Sequence, residues 1–275
     1  MDTAKVKNFI ILVLVLVNLF LLGTYAAARR SRSELEQAAY SELSRLYADS
    51  RISLPEELDI SRKAPAGLGL TRDLDAEKRI AESVLGRCSV TEQGGNIYAY
   101  SGPDGQASFR GTGEFEMLLG YGVADTSRGK VQCARELLKK MGIESGSFVS
   151  ETGDGEQTTV VLDCRYEDSE VYNARVSFLF SGDNLMIVYG KRVFDTVTDT
   201  NTAETIDAGT ALVRFLKESA ENGHVCTDVL SISSGYVMSV AVSGDCTLSP
   251  VWHIETDTGE YTLSAETGKL ETVSY

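Results

Sequence analysis

The amino-acid sequence predicts an α+β protein: an N-terminal transmembrane helix, then repeated units in which a helix packs on an antiparallel sheet. Three observations predict it. Residues 9–28, FIILVLVLVNLFLLGTYAAA, form one uncharged apolar block with no counterpart elsewhere in the chain. Beyond the block, an amphipathic helical spacing leads three times into a run of short strand-like segments. Those segments are divided by hairpin-type turns such as Gly102-Pro103-Asp104-Gly105 and Gly182-Asp183-Asn184.

As a helix the block reaches about 30 Å, the thickness of a bilayer's hydrocarbon core. It reads either as a retained signal anchor or as a secretory signal cleaved after Ala26-Ala27-Ala28. Cleavage would leave Arg29-Arg30-Ser31-Arg32 as an awkward start for an exported chain, so retention is the expectation. Lys5 and Lys7 precede the block and three arginines follow it, so the positive-inside count does not set orientation. Long domains translocate largely regardless of such charges. The expected topology is a cytoplasmic tail at 1–8, one membrane span at 9–28 and an extracytoplasmic remainder in the cell membrane.

The chain carries a net charge of -14, all of it beyond the block. An acidic surface repels phosphates, which argues against nucleic acid and anionic headgroups as partners. The cysteines, Cys88, Cys133, Cys164, Cys226 and Cys246, are widely spaced and form no CxxC pair. Their odd count leaves at least one thiol free outside the cell. Buried free thiols are expected, with Cys226 and Cys246 the pair best placed to meet across strands.

Residues 33–50 predict a helix continuing outward from the membrane. Leu35, Ala39, Leu43, Leu46 and Tyr47 make an apolar stripe that either docks on its own domain or pairs with a partner's juxtamembrane helix. Residues 51–72, with Pro55, Pro65, Gly67 and Gly69, read as a linker, so 29–72 is a juxtamembrane helix and linker. The α+β domain then occupies 73–275, in possible units 73–122, 127–192 and 201–275.

In the first unit a helix at 75–86 is capped by Asp75, with strands at 96–101, 106–110 and 115–119. In the second, a helix at 128–141 stops at Gly142 and strands follow at 158–166, 174–180 and 185–189. In the third, Asn201 and Glu204 make a capping box for a helix at 202–221 closed by Asn222-Gly223. Its strands are placed at 225–232, 236–242, 251–255, 260–264 and 269–273.

Catalysis finds no candidate in this sequence. There are two histidines, His224 and His253, both in strand-like context, and no GxSxG, HExxH or GxxxxGK[ST] motif. Carboxylates are plentiful, but none is singled out by an apolar setting. The run at 195–204, DTVTDTNTAE, lacks the regular oxygen spacing of a calcium loop and reads as a polar connector. No catalytic, metal-ligating or cofactor-binding residue is nominated.

Both ends of the chain carry a resemblance. Met1-Asp2, Lys5, Lys7 and an apolar run closing in Asn18-Leu19-Phe20-Leu21-Leu22 resemble the start of the YycI-type regulatory proteins of Gram-positive bacteria. Pro250-Val251-Trp252-His253-Ile254, Thr258-Gly259-Glu260-Tyr261 and Thr267-Gly268-Lys269-Leu270 are similar to that family's closing strands and to PepSY-like modules more generally. The resemblance implies a non-enzymatic regulator that associates with a WalK-like sensor histidine kinase of the WalK/WalR (YycG/YycF) system, alongside a YycH-type paralogue, in the control of cell-wall metabolism. It implies partner contacts at Asn18, Phe20, Leu21 and Leu22 in the membrane, with the juxtamembrane stripe Leu35, Ala39, Leu43 and Leu46 as a second surface. Asn18 stands out, because an amide in hydrocarbon gains from an interhelical hydrogen bond. Two other classes remain open: an anchored PepSY-like module that restrains an extracytoplasmic peptidase or senses a wall polymer, and, if the block is cleaved, a secreted hydrolase.

Overall fold

The computed structural model describes residues 34–271 except 155, 195, 202, 242 and 243. Among the described residues no helix is long and apolar enough to cross a membrane. The 9–28 block, and with it Asn18, Phe20, Leu21 and Leu22, lies outside them.

The described chain opens in a helix over 34–49, α1. Strand β1 (Gly67–Thr71) and helix α2 (Leu74–Leu85) follow, then β2 (Ser89–Glu92), β3 (Ile97–Gly102), β4 (Gly105–Arg110) and β5 (Glu114–Leu119). Helix α3 (Lys130–Met141) leads into β6 (Ser145–Gly153), β7 (Gln157–Tyr166), β8 (Ser169–Ser181), β9 (Asn184–Lys191) and β10 (Thr196–Asn201). Helix α4 (Ala208–Asn222) leads into β11 (Val229–Val240), β12 (Cys246–Thr256), β13 (Gly259–Ser264) and β14 (Leu270–Glu271).

These strands form one 14-stranded mixed sheet rather than three antiparallel ones. Its spine runs β10-β1-β12-β11-β8-β9-β5-β4-β3-β2, with β7 and β6 branching from β8, and β13 and β14 from β12. The joint between the two halves is parallel and short: Gly235 pairs with Glu170, and Tyr236 with Val171. Asn173 extends it by acting as a surrogate peptide group, donating to the Met238 carbonyl and accepting from the Met238 amide, both at 2.8 Å.

Two cores form, and the first draws on both halves of the sheet, with Tyr236, Met238, Cys246 and Leu248 of β11 and β12 buried in it. In this first core, α2 and α3 cover the sheet through apolar residues at helical spacing, Ile80, Ala81, Val84 and Leu85 from α2, and Ala134, Leu137 and Leu138 from α3. Alternation in β5 sends Phe115, Met117 and Leu119 into this core and leaves Glu114, Glu116 and Leu118 outside. In the other, α1 and α4 cover Trp252, Ile254 and Leu263. Cys226 lies in this second core and Cys246 in the first, so the candidate disulfide is not formed; all five cysteines are free.

A buried charge cluster pins α2 in place. Glu77 accepts from Arg72 Nε and Nη2, each at 2.8 Å, and from Arg192 Nη2 at 3.0 Å. Arg192 also lies over the rings of Phe109 and Phe194, at 5.8 and 5.4 Å from their centroids.

Several predicted boundaries are corrected. Asp73, not Asp75, caps α2, accepting from the Asp75 amide at 2.8 Å. The third helix starts at Ala208 under an Asp207 cap, because Asn201 is spent ending β10 opposite Gly67. The segments at 225–232 and 236–242 are one strand, β11, since Ser233-Ser234-Gly235 stays extended. Gly235 is required there: a Cβ would fall 2.4 Å from the Glu170 carbonyl oxygen and 2.7 Å from the Tyr172 ring. The stretch read as a linker at 51–72 contains β1. Strands β2, β6 and β10 answer to no predicted segment.

Candidate interaction surface

The stripe on α1 leads to the one surface in the described chain where predicted site residues converge. Leu43 and Tyr47, one turn apart, are buried against α4, and the Tyr47 hydroxyl donates to the Leu212 carbonyl at 2.8 Å. Burial pushes that hydroxyl's pKa well above its ordinary value, keeping it a neutral donor. The Ile52 amide closes the helix onto the Tyr47 carbonyl at 2.9 Å. Further along, the Tyr40 hydroxyl donates to the Pro55 carbonyl at 2.6 Å. The start of α4 is held to the same segment: the Gly209 amide donates to the Ile60 carbonyl at 2.9 Å, while Asp207 caps the Thr210 amide at 2.7 Å.

Between the two helices runs a groove of about 730 Å³. Leu35, Ala39, Leu43 and Leu46 all line it from α1, and Gly209, Thr210 and Val213 from α4. Leu43 belongs to the core as well, whereas Leu35 is 68% exposed, Leu46 42% and Val213 47%. Glu36, Glu42 and Asp207 stand along it as acidic residues. Sequence reasoning missed the α4 wall. Its one available signal was Gly209 and Val213, four residues apart on the helix face away from the buried Ala211, Leu212 and Phe215.

The remaining chemistry-bearing groups are engaged in structure. Asp163 is buried, which raises its pKa, and is held at 2.7 Å from Arg175 Nε, which lowers it. His253 stacks on Tyr172 at 4.3 Å, and the Tyr172 hydroxyl shares a 2.7 Å hydrogen bond with Ser233. Burial depresses the His253 pKa against the opposing pull of Glu260, Glu255, Glu170 and Asp163. Its Nδ1 and the Thr262 hydroxyl across the strand pair are buried without a hydrogen-bond partner. His224 lies edge-on to Tyr261 at 5.1 Å. Among the described residues, no group of three or more His, Cys, Asp or Glu is placed to hold a metal ion. A second groove, beside α3, is lined by charges of both signs, including Arg135, Lys139, Arg165, Glu136 and Glu167, and Glu136 already pairs with Arg128 at 3.1 Å.

Compared with known proteins, the chain matches the family model described as "YycI protein" over residues 120–267. The match starts just after β5 and runs through α3, α4 and β13, so it includes the α4 wall of the groove but not α1. No curated protein matches the chain. Among solved structures, an uncharacterized protein from Eubacterium rectale is 10% identical with a TM-score of 0.48, covering 82% of this chain and 91% of that one. The C-terminal domain of YpeB from Bacillus megaterium is 10% identical with a TM-score of 0.40, covering 74% of this chain and 98% of that one.

Proposed function

The chain belongs to the YycI family, and on that premise we propose that it is a membrane-anchored regulator that acts on a WalK-like sensor histidine kinase through its membrane helix and its extracytoplasmic surface. The family is one of regulators of the YycG/WalK system and not of enzymes. The finer reading is that 9–28 stays in the membrane with 1–8 inside, that Asn18 with Phe20, Leu21 and Leu22 meets the kinase's membrane helices, and that the α1 stripe meets a partner outside. A YycH-type paralogue is part of the same assembly. The observation that carries the proposal is the family match over more than half of the chain. What supports the extracytoplasmic part is that all four stripe residues line a single groove.

The test is co-purification from membranes. Asn18→Leu keeps the block apolar and in the bilayer but removes its only amide, so kinase recovered with the chain should fall several-fold. An amide-mediated helix contact in a membrane contributes about 0.6–2 kcal/mol, enough for such a change. Unchanged recovery would overturn the role of Asn18, and recovery of a peptidase in place of a kinase would overturn the kinase reading.

A further inference from the structure

We infer that the α1–α4 groove receives one helix of a membrane partner, amphipathic and flanked by lysine or arginine, as that partner leaves the bilayer. This rests on the reading that the chain is anchored through 9–28. Three features choose this occupant. The first is shape: α1 and α4 lie side by side with Ile60 and Ser61 at one end, and a third helix packs between two at interaxial distances of about 8–10 Å. Its apolar face would cover Leu35, Ala39, Leu46 and Val213, which the chain's own fold leaves open.

The second is charge. Among the described residues the groove is edged by Glu42 and Asp207, and Arg45 touches Glu42 at 3.8 Å in an exposed contact that neutralises little. A second copy of this chain would bring the same acidic edge and a net charge of -14, and would be repelled. The third is position. The helix α1 is already formed at residue 34, six residues beyond Ala28, and its extent over 34–49 is about 24 Å. The groove therefore sits within one short helix of the expected membrane surface, where a neighbouring protein's helix emerges.

The experiment uses the full chain in neutral-lipid nanodiscs and two fluorescent helical peptides with an identical leucine stripe, one flanked by lysines and the other by glutamates. Anisotropy should show the lysine peptide binding at least about tenfold more tightly, with the advantage shrinking at high salt. Val213→Gln, on the open wall, should weaken the lysine peptide about tenfold, whereas Val225→Gln, exposed elsewhere, should not. Unshifted Trp252 emission certifies that each variant is folded. Equal binding of the two peptides, or no effect of Val213→Gln, overturns the inference. So does a dimer that sedimentation detects and Val213→Gln dissolves, since a second copy would then fill the groove. Because no kinase is present, failure here leaves the Asn18 test untouched, and failure there leaves this one standing.

Discussion

Removing the Glu77 carboxylate is the sharpest stability test of the fold. Glu77 and Arg192 side chains are each 1% exposed and Arg72 is 9% exposed, so water cannot substitute for a lost partner. One carboxylate accepts three charge-assisted hydrogen bonds and balances two guanidinium groups. Taking it away leaves two cations facing each other in a buried site. Removing one member of a buried ion pair typically costs about 3–5 kcal/mol. Glutamine does not rescue it: it offers one acceptor oxygen, and its amide NH₂ must point at an arginine donor. We expect Glu77→Gln to lose about 3–5 kcal/mol.

Arg192→Met should cost less, about 1–3 kcal/mol, because Glu77 keeps its two-pronged pair with Arg72. Glu42→Gln, on the exposed face of α1, should stay within about 0.5 kcal/mol. The assay is urea unfolding of the full chain, followed by far-ultraviolet circular dichroism and by Trp252 emission. Trp252 is the single tryptophan and is fully buried in the α4 core. A Glu77→Gln loss below about 1 kcal/mol, or a larger loss for Arg192→Met, would refute the argument.

Three further outcomes follow from the same structure. Asn173→Ala deletes both bonds to Met238 and should cost about 1–3 kcal/mol, with faster hydrogen exchange at the Met238 amide; unchanged exchange there would contradict its bridging role. His253 has a folded pKa below its ordinary value, so the unfolded chain binds the extra proton. Stability should therefore fall as pH drops from about 6.5 toward the folded pKa, and His253→Phe should flatten that slope while leaving the separate loss at lower pH, where carboxylates with depressed pKa such as Asp73 and Asp257 protonate. In the native chain a maleimide should label half-exposed Cys88 first; Cys164, whose pKa burial pushes up to about 12, and Cys246, pushed up to about 11, should react only on unfolding.

What the sequence makes legible is whatever is written in local spacing. The apolar faces of α2 and α3 and the αL stop at Gly142 are all local patterns. So are the two hairpins, whose registers Gly102↔Gly105 and Ser181↔Asn184 sit where their turn residues put them. Strand β10 is illegible for the opposite reason. It buries no side chain at all and exists because β1 offers its backbone edge. Strand β1 is masked by its own glycines, which lie close against the neighbouring strand: a Cβ at Gly67 or Gly69 would stand 3.2 Å from the side chain of Asn201 or Thr198. Glu77 was readable in part, since it shares a helix face with Ile80, Ala81 and Val84, where a carboxylate is out of place without a cation. Its partner Arg192 lies 115 positions away, beyond any local pattern. The groove divides the same way. Its α1 wall follows from helical spacing, and its α4 wall depends on a contact between Tyr47 and Leu212 that spans 165 positions.

The two-core arrangement gives the groove a defined route into the domain. Tyr47 bonds the backbone of α4, and the segment just before α4 takes the Trp252 indole N–H at the Ile206 carbonyl, 3.1 Å away. A helix seated between α1 and α4 therefore stabilises the core that contains Trp252 by mass action. The other core shares β11 and β12 through Tyr236, Met238, Cys246 and Leu248, but Glu77 with its two arginines holds α2 there independently. Binding at the groove should thus slow hydrogen exchange in α4 and β12 while α2 and β4 keep their rates. Equal protection in both halves would mean that the β8–β11 joint is rigid and that the sheet responds as one body.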